Sequence, residues 1–199
     1  MSSDFKTALA KRRSYYEIND TSPITDDAIR KIVEYAISNT PSAFNSQSAR
    51  LVLLLGDNHK KLWEIVRETL RKIVPADKFK PTDDKVNSFA AGHGTVLFYE
   101  DQATIQKLQA DFPLYKNDFP GYSQNSTGML QLAVWVMLRD AGLGATLQHY
   151  GSLIEKEAAA TWGFSPEWRL IAQMPFGGIV SEPGPREQLP LDQTVKVFA

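Results

Sequence analysis

Between residues 41 and 47 the chain places Pro41, Ser42, Ala43, Asn45 and Gln47 immediately ahead of a run of apolar residues. Asn45 and Gln47 each offer an amide donor and a carbonyl acceptor, the mixed complement that the edge of a flat heterocycle needs, and Ser42 adds a hydroxyl. Pro41 fixes its own φ and restrains Thr40, so a helix ending near Asn39 must turn there and leave the polar groups on a defined loop. The same residue types also make ordinary helix-to-strand loops, so the loop alone decides nothing. Upstream stand Arg12, Arg13 and Ser14, which read on their own as the solvated basic end of a helix.

Other chemistries find little support. The 199 residues include no cysteine, which removes disulfides, thiolate metal sites and a cysteine nucleophile. His59 and His93 make no ligand spacing with nearby acids, so no metal site is expected. His149 invites a role as general base, but lone histidines are more often structural, and no catalytic side chain is assigned. Net charge is −1, without the basic excess that nucleic acid or an anionic membrane surface attracts. The first residues lack the apolar core of a secretory leader, and the longest apolar stretch, 129–138, is far short of the roughly 20 residues of a membrane helix. The expectation is a cytoplasmic protein.

The elements that must position these residues follow from periodicity. With 43% hydrophobic and 23% charged residues, the chain suits one α+β domain over 1–199. Helices are expected over 4–13, 25–39 with Thr25 as N-cap, 60–73, 83–91, 102–110, 123–141 and 152–161. Strands are expected over 51–55, 95–99 and 168–175, the first two as strands buried on both faces. Residues 75–81 and 112–122 read as loops. The helix over 123–141 is apolar on two faces, through Leu130, Val134 and Met137 on one and Leu132, Trp135 and Val136 on the other, and so must be covered twice. The tail ends in a β-prone stretch, 194–198.

The order of these features, with Arg12-Arg13-Ser14 near the start, the 41–47 loop before the first core strand and residues 140–146 after the long helix, resembles the FMN-dependent nitroreductase family. Residues 94–101 and 143–149 are most similar to its short, stress-related fungal and bacterial branch. The resemblance covers nearly the whole chain. It implies a mixed β-sheet flanked by helices and an intertwined homodimer with FMN at the subunit interface. Arg12, Arg13 and Ser14 then match phosphate and ribityl contacts, where guanidinium groups make paired, charge-assisted hydrogen bonds. Tyr16 stands where many relatives place a further arginine, and Arg186 matches a C-terminal phosphate contact that would restore the charge. Ser42, Asn45 and Gln47 match positions reaching the isoalloxazine and ribityl of the partner's cofactor, with Pro41 and Ala43 lining the ring. Gln148, His149 and Tyr150 fall where relatives offer a backbone N–H to the flavin. Gly177 and Gly178 would let the backbone approach the cofactor, and Phe112, Tyr115, Phe119 and Tyr122 would either cover the open flavin face or pack the core.

The implied activity is hydride transfer from NAD(P)H through FMN to small nitroaromatic or quinone acceptors. The alternative is a flavin-binding redox sensor or regulator with little turnover. No dinucleotide-binding glycine fingerprint exists here to separate NADH from NADPH.

Overall fold

The computed structural model describes residues 4–198; residues 1–3 of the N-terminal stretch read above for a leader, and residue 199, lie outside the described residues. Two apolar segments form the spine. β3 (Gly94–Asp101) and β5 (Trp168–Ile179) pair antiparallel from Gly94 opposite Phe176 to Asp101 opposite Trp168, with one irregularity between Phe98 and Tyr99. Because side chains alternate across a strand, Val96, Phe98, Ala172 and Met174 pack on one side and Leu97, Tyr99 and Leu170 on the other, and all are buried. β2 (Ala49–Leu55) joins the free side of β3, while β1 (Ile18–Asn19) and β4 (Gly144–Ala145) join β5. These ladders are antiparallel; the parallel contact is an isolated bridge between Ser14 and Ala145.

Helices cover both faces. Ile29 and Val33 of α2 (Asp26–Asn39) meet Leu130, Val134 and Leu138 of α6 (Phe119–Asp140) on one side of the sheet. Leu62, Trp63 and Val66 of α3 (Gly56–Arg71), Val86 and Phe89 of α4 (Lys80–Ala90) and Ile154 of α7 (Gly151–Trp162) fill the other. The result is the layered α+β fold that two apolar sheet faces require. α1 (Phe5–Lys11) and α5 (Gln102–Asp111) lie against α6. Thr25 caps α2 as its sequence predicts, its hydroxyl oxygen accepting from the Ala28 N–H at 3.3 Å.

Several boundaries differ from expectation, and two share a cause. α4 and α6 begin inside segments expected to be loops, with Pro81 and Pro120 in their first turns, where a missing N–H costs nothing. β2 is an edge strand and mostly half-buried, not covered on both faces. Gly177 and Gly178 face β1: a Cβ on Gly177 would stand 2.0 Å from the Asn19 carbonyl oxygen, so the missing side chain serves strand packing. The tail makes one helical turn, α8 (Leu191–Thr194), and Val195, Val197 and Phe198 are exposed without forming a strand. The second apolar face of α6 is only partly covered. Met129 and Leu132 are 45% and 41% exposed, and with Phe5, Ala133, Val136 and Met137 they line a groove of about 360 Å³.

His59 lies in the α3–sheet core. Its Nε2 stands 3.2 Å from the Ala90 carbonyl, which can only accept, so Nε2 carries the proton and Nδ1 accepts from the Thr95 hydroxyl at 2.8 Å. Thr95 in turn accepts from Trp63 Nε1 at 3.0 Å. Burial pushes the imidazole from its ordinary 6.5 down to about 4. Between these values the unfolded chain binds the extra proton and the folded chain does not, so stability falls as pH drops through this window. The loss should reach about 3 kcal/mol below the folded pKa. Urea unfolding at pH 7 and at pH 4.5 should show a steeper loss for the wild type than for His59→Gln; equal slopes would refute this role.

Candidate functional site

Arg12 and Arg13 leave α1 just after its last turn, and Ser14 bridges to Ala145 of β4, which fixes the segment against the sheet. The Arg12 guanidinium sits over the Trp135 ring of α6 at 4.5 Å, and Trp135 Nε1 donates to the Ala145 carbonyl at 3.1 Å. Arg186 reaches the same place from the far end of the chain. Its segment is fastened at several points: Arg13 Nη2 donates to the Gly184 carbonyl at 2.7 Å, the Tyr15 hydroxyl donates to Glu182 Oε2 at 2.9 Å, and Arg139 Nε donates to the Tyr15 oxygen at 3.0 Å. Arg12, Arg13, Ser14, Tyr16 and Arg186 thereby line one cleft of about 650 Å³.

Three guanidinium groups share that cleft, and none makes an ion pair among the described residues. Burial, and then the charges of Arg186 and Arg13, push Arg12 below its ordinary value. Glu17 and Glu182 line the cleft too, but they are engaged by Ser181 and by Tyr15. The surplus of positive charge is what a phosphate-bearing ligand would relieve. Arg186, far away in sequence, lines the same cleft as Tyr16.

The second group of residues forms a separate cavity. Pro41, Ser42 and Gln47 line a space of about 330 Å³ with Ser48, Ser126 and Leu130, the last two from α6. Ser42 Oγ accepts from the Gln47 N–H at 3.0 Å, closing the loop on itself while leaving the hydroxyl proton free to donate. Ala43 faces a void of only about 10 Å³ and not this cavity. Asn45 is exposed and lines neither space. The turn is made without glycine: Phe44, Asn45 and Gln47 adopt φ of 57°, 50° and 48°. The Phe44 ring anchors it, 4.9 Å from Phe112 and 5.3 Å from Phe119, so these aromatics pack together and clamp the loop.

Between residues 148 and 150 the main chain narrows the choice of donor. The Gln148 N–H donates to the Gln173 carbonyl at 2.7 Å, and the Tyr150 N–H donates to Gln173 Oε1 at 2.7 Å. The Gln148 side chain is also engaged, donating to Thr146 Oγ1 at 3.1 Å. His149 is exposed, and its N–H has no partner among the described residues. Of the three, His149 alone offers a main-chain donor outward. Sequence reading missed Tyr15, Trp135, Arg139 and Phe44; each acts through a neighbour placed by the fold, and nothing in local spacing marks it.

The family model described as "Nitroreductase family" matches residues 9–178, and every segment of both cavities except Arg186 and its neighbours falls inside that span. This chain belongs to the nitroreductase family. It is 35% identical over 192 residues to the Saccharomyces cerevisiae protein HBN1, covering 96% of this chain and 94% of the relative. Nitroreductase FRM2 from the same yeast is 30% identical over 197 residues, covering 98% and 97%. Nitroreductase CinD from Lactococcus lactis, solved with chloramphenicol, superposes with a TM-score of 0.89 at 35% identity, covering 98% of this chain and all of that one.

The Tyr15 bridge should hold the Arg186 segment in place. Tyr15→Phe deletes the hydroxyl between Arg139 and Glu182 and should cost about 1 kcal/mol of stability. Amide exchange across residues 181–186 should quicken at the same time, and unchanged protection there would show that the bridge does not fasten the segment.

Proposed function

We propose that the chain binds FMN and passes reducing equivalents from NADH or NADPH to small nitroaromatic or quinone acceptors. The observation that carries this reading is the cleft in which Arg12, Arg13 and Arg186 gather without an ion-pairing carboxylate, a fit for a phosphate monoester. The unpartnered His149 N–H and the amide of Gln47 supply hydrogen-bonding groups for a ring edge. FMN, when bound, supplies the hydride chemistry, which explains why a chain without cysteine and without a paired acid and base can be an oxidoreductase.

Protein groups then have three tasks. Arg12, Arg13, Ser14 and Arg186 hold the phosphate and ribityl. Pro41, Ser42 and Gln47 pack and hydrogen-bond the ring, and the His149 N–H fixes its orientation. Acceptors of flat aromatic type suit this arrangement; the related CinD has been solved with chloramphenicol, with nicotinic acid and with 4-nitrophenol.

The complete site takes two copies of the chain. The arginine cleft and the 41–47 cavity have no lining residue in common. They attach near opposite ends of the β3–β5 ladder: Ala145 pairs with Phe176, which lies opposite Gly94, while the Asp101 N–H donates to the Ser48 carbonyl at 2.9 Å. Seven residue-to-residue steps along β3 separate Gly94 from Asp101, roughly 23 Å. The half-exposed groove on α6 gives a second copy an apolar surface to cover, as obligate interfaces do. In this arrangement the loop of one protomer serves the cleft of the other.

Purified protein loaded with FMN should lose its visible flavin absorbance on anaerobic addition of NADPH or NADH and recover it on adding 4-nitrophenol or a quinone. Failure to bind FMN would sink the reading, and bleaching without acceptor turnover would turn it to a redox sensor. Arg12→Ala should weaken FMN binding roughly 10- to 100-fold. Co-expressed Arg12→Ala and Gln47→Ala chains should regain tight binding in about half of the heterodimer's sites, whereas either variant alone should not. A mixture no better than its parents would place both halves on one chain.

A further inference from the structure

Glu100, next to the end of β3, is 1% exposed, and among the described residues it makes no ion pair. Its carboxylate accepts from three hydroxyls instead. Ser48 Oγ donates to Oε2 at 2.6 Å, Ser123 Oγ donates to the same oxygen at 2.7 Å, and Thr127 Oγ1 donates to Oε1. Burying a carboxylate without a counter-charge is costly, and an apolar side chain would fill the same space without that cost. Ser48, Ser123 and Thr127 are themselves buried, so three hydroxyls are turned inward toward this one carboxylate, and the group calls for a reason beyond stability.

The donors come from two elements that line one cavity. Ser48 follows the 41–47 loop and lines the cavity; Ser123 and Thr127 lie on α6, whose Ser126 and Leu130 line the same cavity as Gln47. Asp101 completes the fastening. Its N–H donates to the Ser48 carbonyl at 2.9 Å, and its carboxylate accepts from Arg50 Nη2 at 2.7 Å, while Arg50 Nη1 donates to the Gln47 carbonyl at 2.7 Å. The backbone at Gln47 and Ser48 and the Ser48 side chain are thus all tied, directly or through Arg50, to two adjacent acidic residues.

We propose that Glu100 is the positioning residue of the ring-binding cavity: it sets the separation between the 41–47 loop and α6 and holds a fixed negative charge behind the ring. The inference rests on the flavin reading above. It assigns Glu100 two separable effects, one on shape and one on charge. Shape governs how tightly the ring is held. The charge opposes the negative charge that a flavin gains on reduction, and in a buried setting it is weakly screened.

Glu100→Gln keeps the volume and can still accept from two hydroxyls while donating to the third, but it removes the charge. FMN fluorescence titration of the apoprotein should show a Kd about tenfold weaker, from the loss of charge-assisted bonds. The midpoint potential of the bound flavin, measured by dye-coupled titration, should rise. A Kd within twofold of wild type, or a potential that does not move, would overturn the proposal. If Glu100→Gln does not fold, Ser48→Ala removes only the loop's hydroxyl and carries the test: weaker FMN binding supports the role, and unchanged binding overturns it. Wild-type protein that fails to bind FMN would overturn the flavin reading itself, whatever the variants do.

Discussion

The antiparallel ladder between β3 and β5 joins the two apolar cores, and each part of the candidate site is fastened near one end of it or at its middle. Beside Phe176, β4 brings Ala145 against Ser14 and so fixes the arginine segment. Midway, Gln148 pairs with Gln173 and turns the His149 N–H outward. At the other end, Asp101 and its neighbour hold the exit of the 41–47 loop. A backbone ladder buried on both faces is the part of a protein least prone to open. The distances between these groups are therefore set by the most rigid element available.

Around that frame the chain leaves groups of three kinds incompletely satisfied. Arginines crowd one another, the His149 main-chain donor has no acceptor among the described residues, and an apolar groove on α6 stays half exposed. Buried unpaired atoms elsewhere, such as Gln173 Nε2 and Tyr99 Oη, are few among the described residues, so incompleteness is concentrated at surfaces that a ligand or a second copy could complete.

Much of the architecture was legible because long periodic segments dominate it. The Thr25 cap, the apolar stripe of α2 and the apolar run of β3 each announce themselves locally. The proline-bearing starts of α4 and α6 did not, since Pro81 and Pro120 mark a loop and a first helical turn equally well. For the site, the family resemblance carried by the order of the motifs implied Arg12, Arg13, Ser14, Arg186, Pro41, Ser42 and Gln47, and the fold gathers them into two cavities. Asn45 and Ala43 fall outside the larger loop cavity because the left-handed turn at Phe44 rotates successive side chains away from one another, a backbone state that a glycine-free sequence does not advertise. The fastening residues, Tyr15, Trp135, Arg139, Phe44 and Glu100, were invisible for another reason: their partners lie 10 to 167 positions away and are set by the fold.

Three left-handed residues in a loop without glycine also bear on entropy. Each such residue sits roughly 1–2 kcal/mol above its relaxed conformation, so the turn from Phe44 to Gln47 would not hold its shape as a free peptide. It holds here through the aromatic clamp and the polar ties at its exit. A surface already fixed in this way loses little further freedom when something settles on it, and preorganisation of that kind favours both tight binding and slow release.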